Sequence, residues 1–319
     1  MNKRDAVARV FDPAQAPAYV PAAFFLHFDA DHQRGRPAVE KHLEFFNATG
    51  MDFVKIQYEH HFPHNPDIQR PEDWSKMPVY PADFFTEPLR IIEGLVKAVK
   101  KDAFIVQTLY SPFMIAGQVA SSALVVEHIR QNPAAFKRGI QAITESLANF
   151  VREAIRLGID GFYASTQGGE ANRFEGATEH ESRSLFEECI KPYDLMLMNE
   201  ANRGTIFNIL HVCDYALKYD DLTRFIDYPG QVVNSNLEMA GGRITAREVE
   251  ALFHRPFMGG LDRLGVLATG TPEQIRAEAE RALSEAPERY ILAADCTVPG
   301  STPWENLKIA IDTAHAYRQ

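Results

Sequence analysis

The chain has 319 residues, 45% of them hydrophobic and 24% charged, the balance of a globular protein; that length suits either two domains or one large α/β barrel. Its 33 Lys and Arg against 43 Asp and Glu leave a formal charge of -10. That argues against sequence-independent nucleic-acid binding and against anionic membrane surfaces, both of which need clustered cations.

No apolar run reaches the roughly 18 residues that span a bilayer. The N-terminus, Met1-Asn2-Lys3-Arg4-Asp5-Ala6, continues into polar, Pro-containing sequence rather than an apolar signal core, so a cytoplasmic enzyme is the expectation.

Short apolar runs rich in β-formers alternate with longer helical stretches along the whole chain, and no low-complexity linker divides it. Val20–His27 reads as the first strand, followed by a polar loop and a helix at Ala38–Thr49. A strand at Asp52–Tyr58, a helix at Phe84–Lys100 and a strand at Phe104–Ser111 come next. The helix Pro133–Leu157 leads to the strand Gly161–Thr166 through a turn bracketed by Gly158 and Gly161. The helix Glu181–Asn202 precedes the strand Thr205–Cys213, and strands at Gln231–Asn236 and Pro256–Asp262 follow. A helix at Pro272–Ala286 has Thr271 as N-cap, Pro272 in its first turn and Glu273 to complement the dipole. The strand Tyr290–Cys296 and the helix Pro303–Ala316, opening the same way behind Thr302 with Glu305 in its first turn, end the series.

Several of these strands are nearly continuous in apolar residues, as parallel strands covered on both faces are. Eight βα units in one chain predict a single (β/α)8 TIM barrel over residues 1–319. The rival, a doubly wound open sheet, calls for a glycine-rich phosphate turn after its first strand, and the sequence has none there.

Three cysteines in a long chain do not make a disulfide framework, so each is core filler, nucleophile or ligand. Cys189 falls on the apolar side of a predicted helix and reads as packing. Ile209-Leu210-His211-Val212-Cys213 ends the fifth predicted strand, and ligands at i and i+2 on an extended segment point to one side. Leu292-Ala293-Ala294-Asp295-Cys296 ends the eighth, and the C-terminal ends of barrel strands share one bowl. A Cys2His set with an open position is a catalytic-zinc arrangement. Spacing alone serves equally well for two small buried thiols and a hydrogen-bonded core histidine.

Other polar residues near predicted strand ends are candidates for lining the bowl: Gln57, Tyr110, Gln167, Glu170, Asn236, Glu238 and Asp262. For each, a solvated loop residue is the plainer reading. Thr166-Gln167-Gly168-Gly169-Glu170 has glycines that let backbone approach a ligand closely. His60-His61-Phe62-Pro63-His64 reads as a polar rim rather than a second metal site.

Five elements carry a resemblance. Asn208-Ile209-Leu210-His211-Val212-Cys213, Val232-Val233-Asn234-Ser235-Asn236, Gly259-Gly260-Leu261-Asp262, Gly270-Thr271-Pro272-Glu273 and Cys296-Thr297-Val298-Pro299 with Thr302-Pro303-Trp304-Glu305-Asn306-Leu307 are similar to the uroporphyrinogen decarboxylase superfamily, densest after about residue 155. The resemblance implies a barrel fold.

In the decarboxylase branch an Arg-Gln-Ala-Gly-Arg-type motif follows the first strand and an aspartate follows the second. Here the stretches read Phe24-Phe25-Leu26-His27-Phe28-Asp29, with no arginine before Arg34 in that region, and Lys55-Ile56-Gln57-Tyr58. Both departures remove charge complementarity to a polycarboxylate tetrapyrrole. The sequence more closely resembles the methylcobamide:thiol methyltransferases, such as the coenzyme M type. Their His-x-Cys…Cys zinc motif lands on His211, Cys213 and Cys296.

That resemblance implies a zinc cofactor that activates a small-molecule thiol to attack a methyl group on a separate corrinoid protein, with homodimers common among relatives. The fourth ligand stays open. Related enzymes supply an acidic residue where this chain places Asn236; Glu238 stands two residues on, and water displaced by the thiol is equally compatible. His32-Gln33-Arg34-Gly35 matches half of a corrinoid lower-ligand motif, but Ala30 stands where its Asp belongs, so any corrinoid is expected in trans. Two other functions remain: a metal-free lyase for a smaller acid, for which Arg263 is the obvious base near a strand end, and a non-catalytic binder of corrinoid or tetrapyrrole.

Overall fold

The computed structural model describes residues 2–318 apart from 13, 16–18 and 58. Nine strands are present among them: β1 (Phe53–Ile56), β2 (Phe104–Tyr110), β3 (Gly161–Thr166), β4 (Ile209–Val212), β5 (Val232–Ser235), β6 (Glu238–Met239), β7 (Gly242–Arg243), β8 (Phe257–Leu261) and β9 (Tyr290–Ala294). Seven form one parallel sheet in the order β1-β2-β3-β4-β5-β8-β9, and β6 with β7 makes a separate antiparallel hairpin. Nearly every residue of the seven is buried, because helices cover the outer face and side chains fill the inner one.

The sheet curls, and its two outer strands meet the same stretch of chain. The Ala23 N–H donates to the Leu292 carbonyl at 3.1 Å, and the Leu292 N–H to the Pro21 carbonyl at 2.9 Å. On the other side the Asp52 N–H donates to the Ala22 carbonyl at 3.0 Å. The segment expected as the first strand, 20–27, is therefore not a regular strand: it makes two isolated parallel bridges, Ala22 with Leu292 and Leu26 with Val298. Pro21 has no N–H to donate, which interrupts any ladder at that point.

Beneath this junction the Asp52 carboxylate, fully buried, accepts from the Tyr19 hydroxyl (2.6 Å), the Ala22 N–H (2.8 Å) and His315 Nε2 (2.8 Å). The last helix, Trp304–Ala316, is thus tied to the foot of β1.

Helix positions follow the sequence reading with three differences. The expected helix 181–202 is two helices, Glu179–Cys189 and Lys191–Gly204, broken at Ile190. Pro192 explains the break, since it lacks an N–H and its ring collides with the carbonyl four residues back. The last helix begins at Trp304 with Pro303 at its cap position, so Thr302 is not its N-cap, and the Thr302 hydroxyl is buried without a partner. Several short helices, including Lys3–Phe11, Pro112–Val119, Ser122–Gln131 and Ala246–Phe253, lie where no element was expected. The Thr271 cap is present: its side chain accepts from the Gln274 N–H of the helix Pro272–Glu285. Tyr58, the end of the second expected strand, lies outside the described residues.

Buried apolar side chains from Val7 to Ala314 form one contiguous cluster. Gly161 enters β3 with no room for a side chain, since a Cβ there would sit 1.8 Å from the Phe207 carbonyl oxygen. Among the described residues no single helix is long and apolar enough to cross a membrane.

Candidate active site

Alternate residues on neighbouring strands point to one side, and here they converge on a cavity of about 410 Å³ at the C-terminal ends of the sheet. Lys55 comes from β1, Thr108 and Tyr110 from β2, Tyr163 and Ser165 from β3 with Gln167 just beyond it. His211 comes from β4, Cys213 from one residue past it and Cys296 from two residues past β9. Each pair is spaced by two, which is why a strand of four to seven residues delivers two side chains to the same place.

The ligand atoms of His211, Cys213 and Cys296 all lie within 4.8 Å of one another. Local backbone bonds hold them there. The Cys213 N–H donates to the Thr166 carbonyl at 3.0 Å, and the Asp295 N–H to the Leu261 carbonyl at 2.9 Å, so both ladders run on past the formal strand ends. The two thiols interact directly. A hydrogen bond from Cys296 holds the Cys213 thiol well below its ordinary range against the opposing effect of burial, and the same bond keeps the proton on Cys296. Gln167 Nε2 donates to Cys213 Sγ at 3.5 Å.

His211 is 1% exposed, and neither of its ring nitrogens makes a well-formed hydrogen bond, although the imidazole stands close enough to Cys213 to help lower its thiol. A buried imidazole left in that state is costly unless something completes it. Tetrahedral zinc, with Zn–S near 2.3 Å and Zn–N near 2.0 Å, needs ligand atoms about 3.5–3.8 Å apart. Two sulfurs and an imidazole within 4.8 Å of one another are close enough to close on that ion with small side-chain shifts, and their softness suits it.

Other expected residues take varied positions. Tyr110 and Gln167 line the cavity. Gln57 sits behind it: its amide oxygen accepts from the Lys55 ammonium, and its nitrogen lies 3.1 Å from His27 Nε2 and 3.5 Å from the Thr297 hydroxyl. Glu170 is buried within its own loop, where its carboxylate pairs with Arg173 and accepts the Gly168 N–H at 2.7 Å. Asn236, Glu238 and Asp262 line a neighbouring cavity of about 540 Å³. Asn236 donates to Asp214 (2.7 Å) and Asp295 (3.1 Å), Glu238 faces Arg243 at 3.6 Å, and Asp262 accepts the Leu264 N–H at 2.8 Å. The structure does not bring these three to the cysteines.

Arg263 reaches both cavities but is held by Asp295 at 2.5 Å and Asp214 at 3.4 Å. His32 is turned onto Asp29 at 2.7 Å in a short 3-10 turn, Ala30–His32. His60 packs its ring 4.6 Å from that of Phe84, and burial lowers its pKa. Cys189 is buried in the core, its thiol pushed up to about 11 by burial.

Sequence reading missed Lys55. It is 4% exposed, and burial lowers its ammonium to about 7 against the opposing pull of Cys296, Glu59 and Cys213. The rings of Phe25 and Tyr163, packed against each other, both approach it, at 4.7 and 4.6 Å. Its signal was a charge inside the apolar run Phe53-Val54-Lys55-Ile56, where lysine seldom sits without a role. Tyr163 was also missed; its ring lies 4.8 Å from that of His211, and its hydroxyl donates to Asn234 at 2.5 Å.

The fold agrees with the comparisons to known proteins. The Uroporphyrinogen decarboxylase (URO-D) family model matches residues 45–317, and the chain belongs to that family. No curated protein matches it. Among solved structures it is similar to a methyltransferase from Methanosarcina mazei, with a TM-score of 0.75 and 14% identity over 98% of both chains. It is also similar to a B12-independent methionine synthase from Shewanella sp. W3-18-1 in complex with selenomethionine, with a TM-score of 0.52 and 12% identity over 94% of both. A putative B12-independent methionine synthase from Listeria monocytogenes gives a TM-score of 0.50 and 12% identity over 86% of this chain and 84% of that one. At such identities these likenesses concern the fold.

Proposed function

We propose that this protein is a zinc-dependent, cytoplasmic methyltransferase in which an acceptor thiol attacks a methyl group carried by a separate methyl-corrinoid protein. The observation that carries the reading is the convergence of His211, Cys213 and Cys296 within 4.8 Å at the floor of a cavity, with neither His211 nitrogen in a well-formed hydrogen bond. The named methyltransferase activity of the Methanosarcina mazei structure and the methionine synthases of the same fold support it. We also read the segment 20–27 as the eighth stave of a closed (β/α)8 barrel forming one domain, since it bonds to both outer strands of the sheet.

Zinc held by these three residues would deprotonate a thiol at its remaining position, otherwise poorly ionised at neutral pH with a pKa near 8.5, and leave its sulfur nucleophilic. The chain's own residues do the rest. Cys213 and Cys296 would hold the ion as thiolates, Cys296 giving up the proton of the hydrogen bond between them. Gln167 donates to Cys213 and fixes its sulfur. Tyr163 packs against the His211 ring and limits its rotation. The apolar walls around Met114 and Val298 shield the sulfur from water, while the C-terminal ends of the strands leave the cavity open to a methyl donor.

Metal analysis of the purified protein tests this. About one zinc per chain is expected, lost in both Cys213→Ala and Cys296→Ala while the far-UV spectrum is kept. Unchanged metal content in both variants overturns the reading.

A further inference from the structure

Lys55 has a chemistry that the methyl-transfer reading leaves unused. It is 4% exposed and lines the same cavity as the two cysteines. A lysine ammonium has three donors. The protein engages it through one amide oxygen, that of Gln57, and through the faces of Phe25 and Tyr163. Ring faces attract a cation but do not neutralise it. Among the described residues no carboxylate stands within ion-pair distance of it. Glu59, whose charge it feels, is taken by His27 at 2.7 Å. Arg263 on the cavity wall already has Asp214 and Asp295. A buried amine is either paired or disposed to lose its proton, and at Lys55 an anion arriving with the ligand would supply the pairing that keeps the ammonium charged.

We propose that Lys55 is a specificity-determining residue that selects ligands bearing a compact anionic group, a carboxylate or a sulfonate, and seats that group on the cavity side of its ammonium. The neutral amide of Gln57 holds the ammonium in place without satisfying its charge, and the two rings fix its height in the cavity. A neutral ligand of the same size leaves the buried ammonium as it is in the free protein. An anion completes it, and a charge-assisted contact of this kind separates the two by a factor of roughly 10 to 100 in affinity. With zinc at the cysteines, one end of such a ligand would meet Lys55 and the other the metal. That second half rests on the methyltransferase reading, whereas the anion half does not.

Calorimetric titration of the purified full-length protein with 1-propanesulfonate, propionate and propionamide tests it. The sulfonate is a poor metal ligand, so it reports on the lysine whether or not zinc is present, and comparison with propionate separates the two anion types. Either acid is expected to bind at least 10-fold more tightly than the amide, and the difference is expected to vanish in Lys55→Met and Lys55→Gln. Equal binding of the sulfonate, the carboxylate and the amide by the unaltered protein overturns the proposal, and so does an anion preference that survives both substitutions. Titration with 3-mercaptopropionate then tests the thiol reading separately. A gain from the added sulfur that is lost in Cys213→Ala supports both. An anion preference that depends on Lys55 but shows no gain from sulfur supports the lysine assignment and counts against the thiol acceptor.

Discussion

Gln167 places its amide nitrogen 3.5 Å from the sulfur of Cys213, so the loop after β3 braces a side chain that ends β4. Groups that hydrogen-bond to a metal ligand set its orientation and charge, and removing one typically weakens metal affinity 10- to 100-fold. Gln167→Ala is therefore expected to release zinc to a competing chelator at a concentration at least about 10-fold lower than the unaltered protein requires. Identical chelator curves would show that the amide gives the sulfur no support.

Asp194 reports on pH from the opposite face of β3. It is fully buried, accepts from the Thr166 hydroxyl at 2.6 Å and the Tyr228 hydroxyl at 3.1 Å, and burial raises its carboxyl to about 7. The unfolded chain releases the same proton near pH 3.9. The folded state thus binds the proton more tightly, and the stability this contributes is fully present below about pH 4 and lost as pH rises to about 7. The slope is at most about 1.4 kcal/mol per pH unit. Tm is expected to fall between pH 5 and pH 7, and Asp194→Asn to flatten that part of the profile. A profile unchanged by the substitution would assign the slope to other groups.

His315 and Asp52 join the last helix to the foot of the first strand. In His315→Ala the Asp52 carboxylate keeps the Tyr19 hydroxyl and the Ala22 N–H but loses its third donor. A hydrogen bond to a charged group contributes about 1.5–3 kcal/mol, and His315 is partly exposed, so the lower end of that range is expected in urea unfolding. A change below a few tenths of a kcal/mol would mean that water replaces the imidazole without loss.

Gly161→Ala tests the tightest backbone contact. The added methyl would sit 1.8 Å from the Phe207 carbonyl oxygen, and neither strand can yield without breaking the β3–β4 register of Tyr163 with Ile209. Destabilisation of about 3 kcal/mol or more is expected, at the upper end of what overpacking does, visible as a drop in Tm or loss of soluble protein. A variant with near-native Tm would mean the strands shift more freely than the packing indicates.

Seven of the eight expected strands lie in the sheet because their apolar runs were long enough to mark parallel, doubly covered chain. The segment 20–27 read as a strand by composition, yet its hydrogen bonds are shared between two neighbours and interrupted at Pro21. The helix 181–202 was read through Pro192 because its apolar periodicity continues on both sides of the break. The pairing of His211 with Cys213 on one side of a strand was legible since an i, i+2 pair needs no tertiary knowledge, and Cys296 joins them through the shared bowl at the strand ends. The surroundings of Asn236 and Glu238 have a tertiary origin. The β6–β7 hairpin, which local sequence does not announce, turns that stretch toward Arg243 and the acids of the second cavity. Lys55 went unnoticed because hydrophobic patterning counts a lysine as solvent-facing, and only the ring faces of Phe25 and Tyr163 show it is not.

The backbone bonds of Ala23 and Asp52 also bear on how the molecule is made. The stretch around residue 22 is synthesised well before one of its two neighbours, at Leu292. Cys296 emerges later still. A nascent chain halted near residue 280 would expose the bare flank of β8 and carry two of the three proposed ligands, leaving an unpaired apolar edge until β9 emerges to cover it.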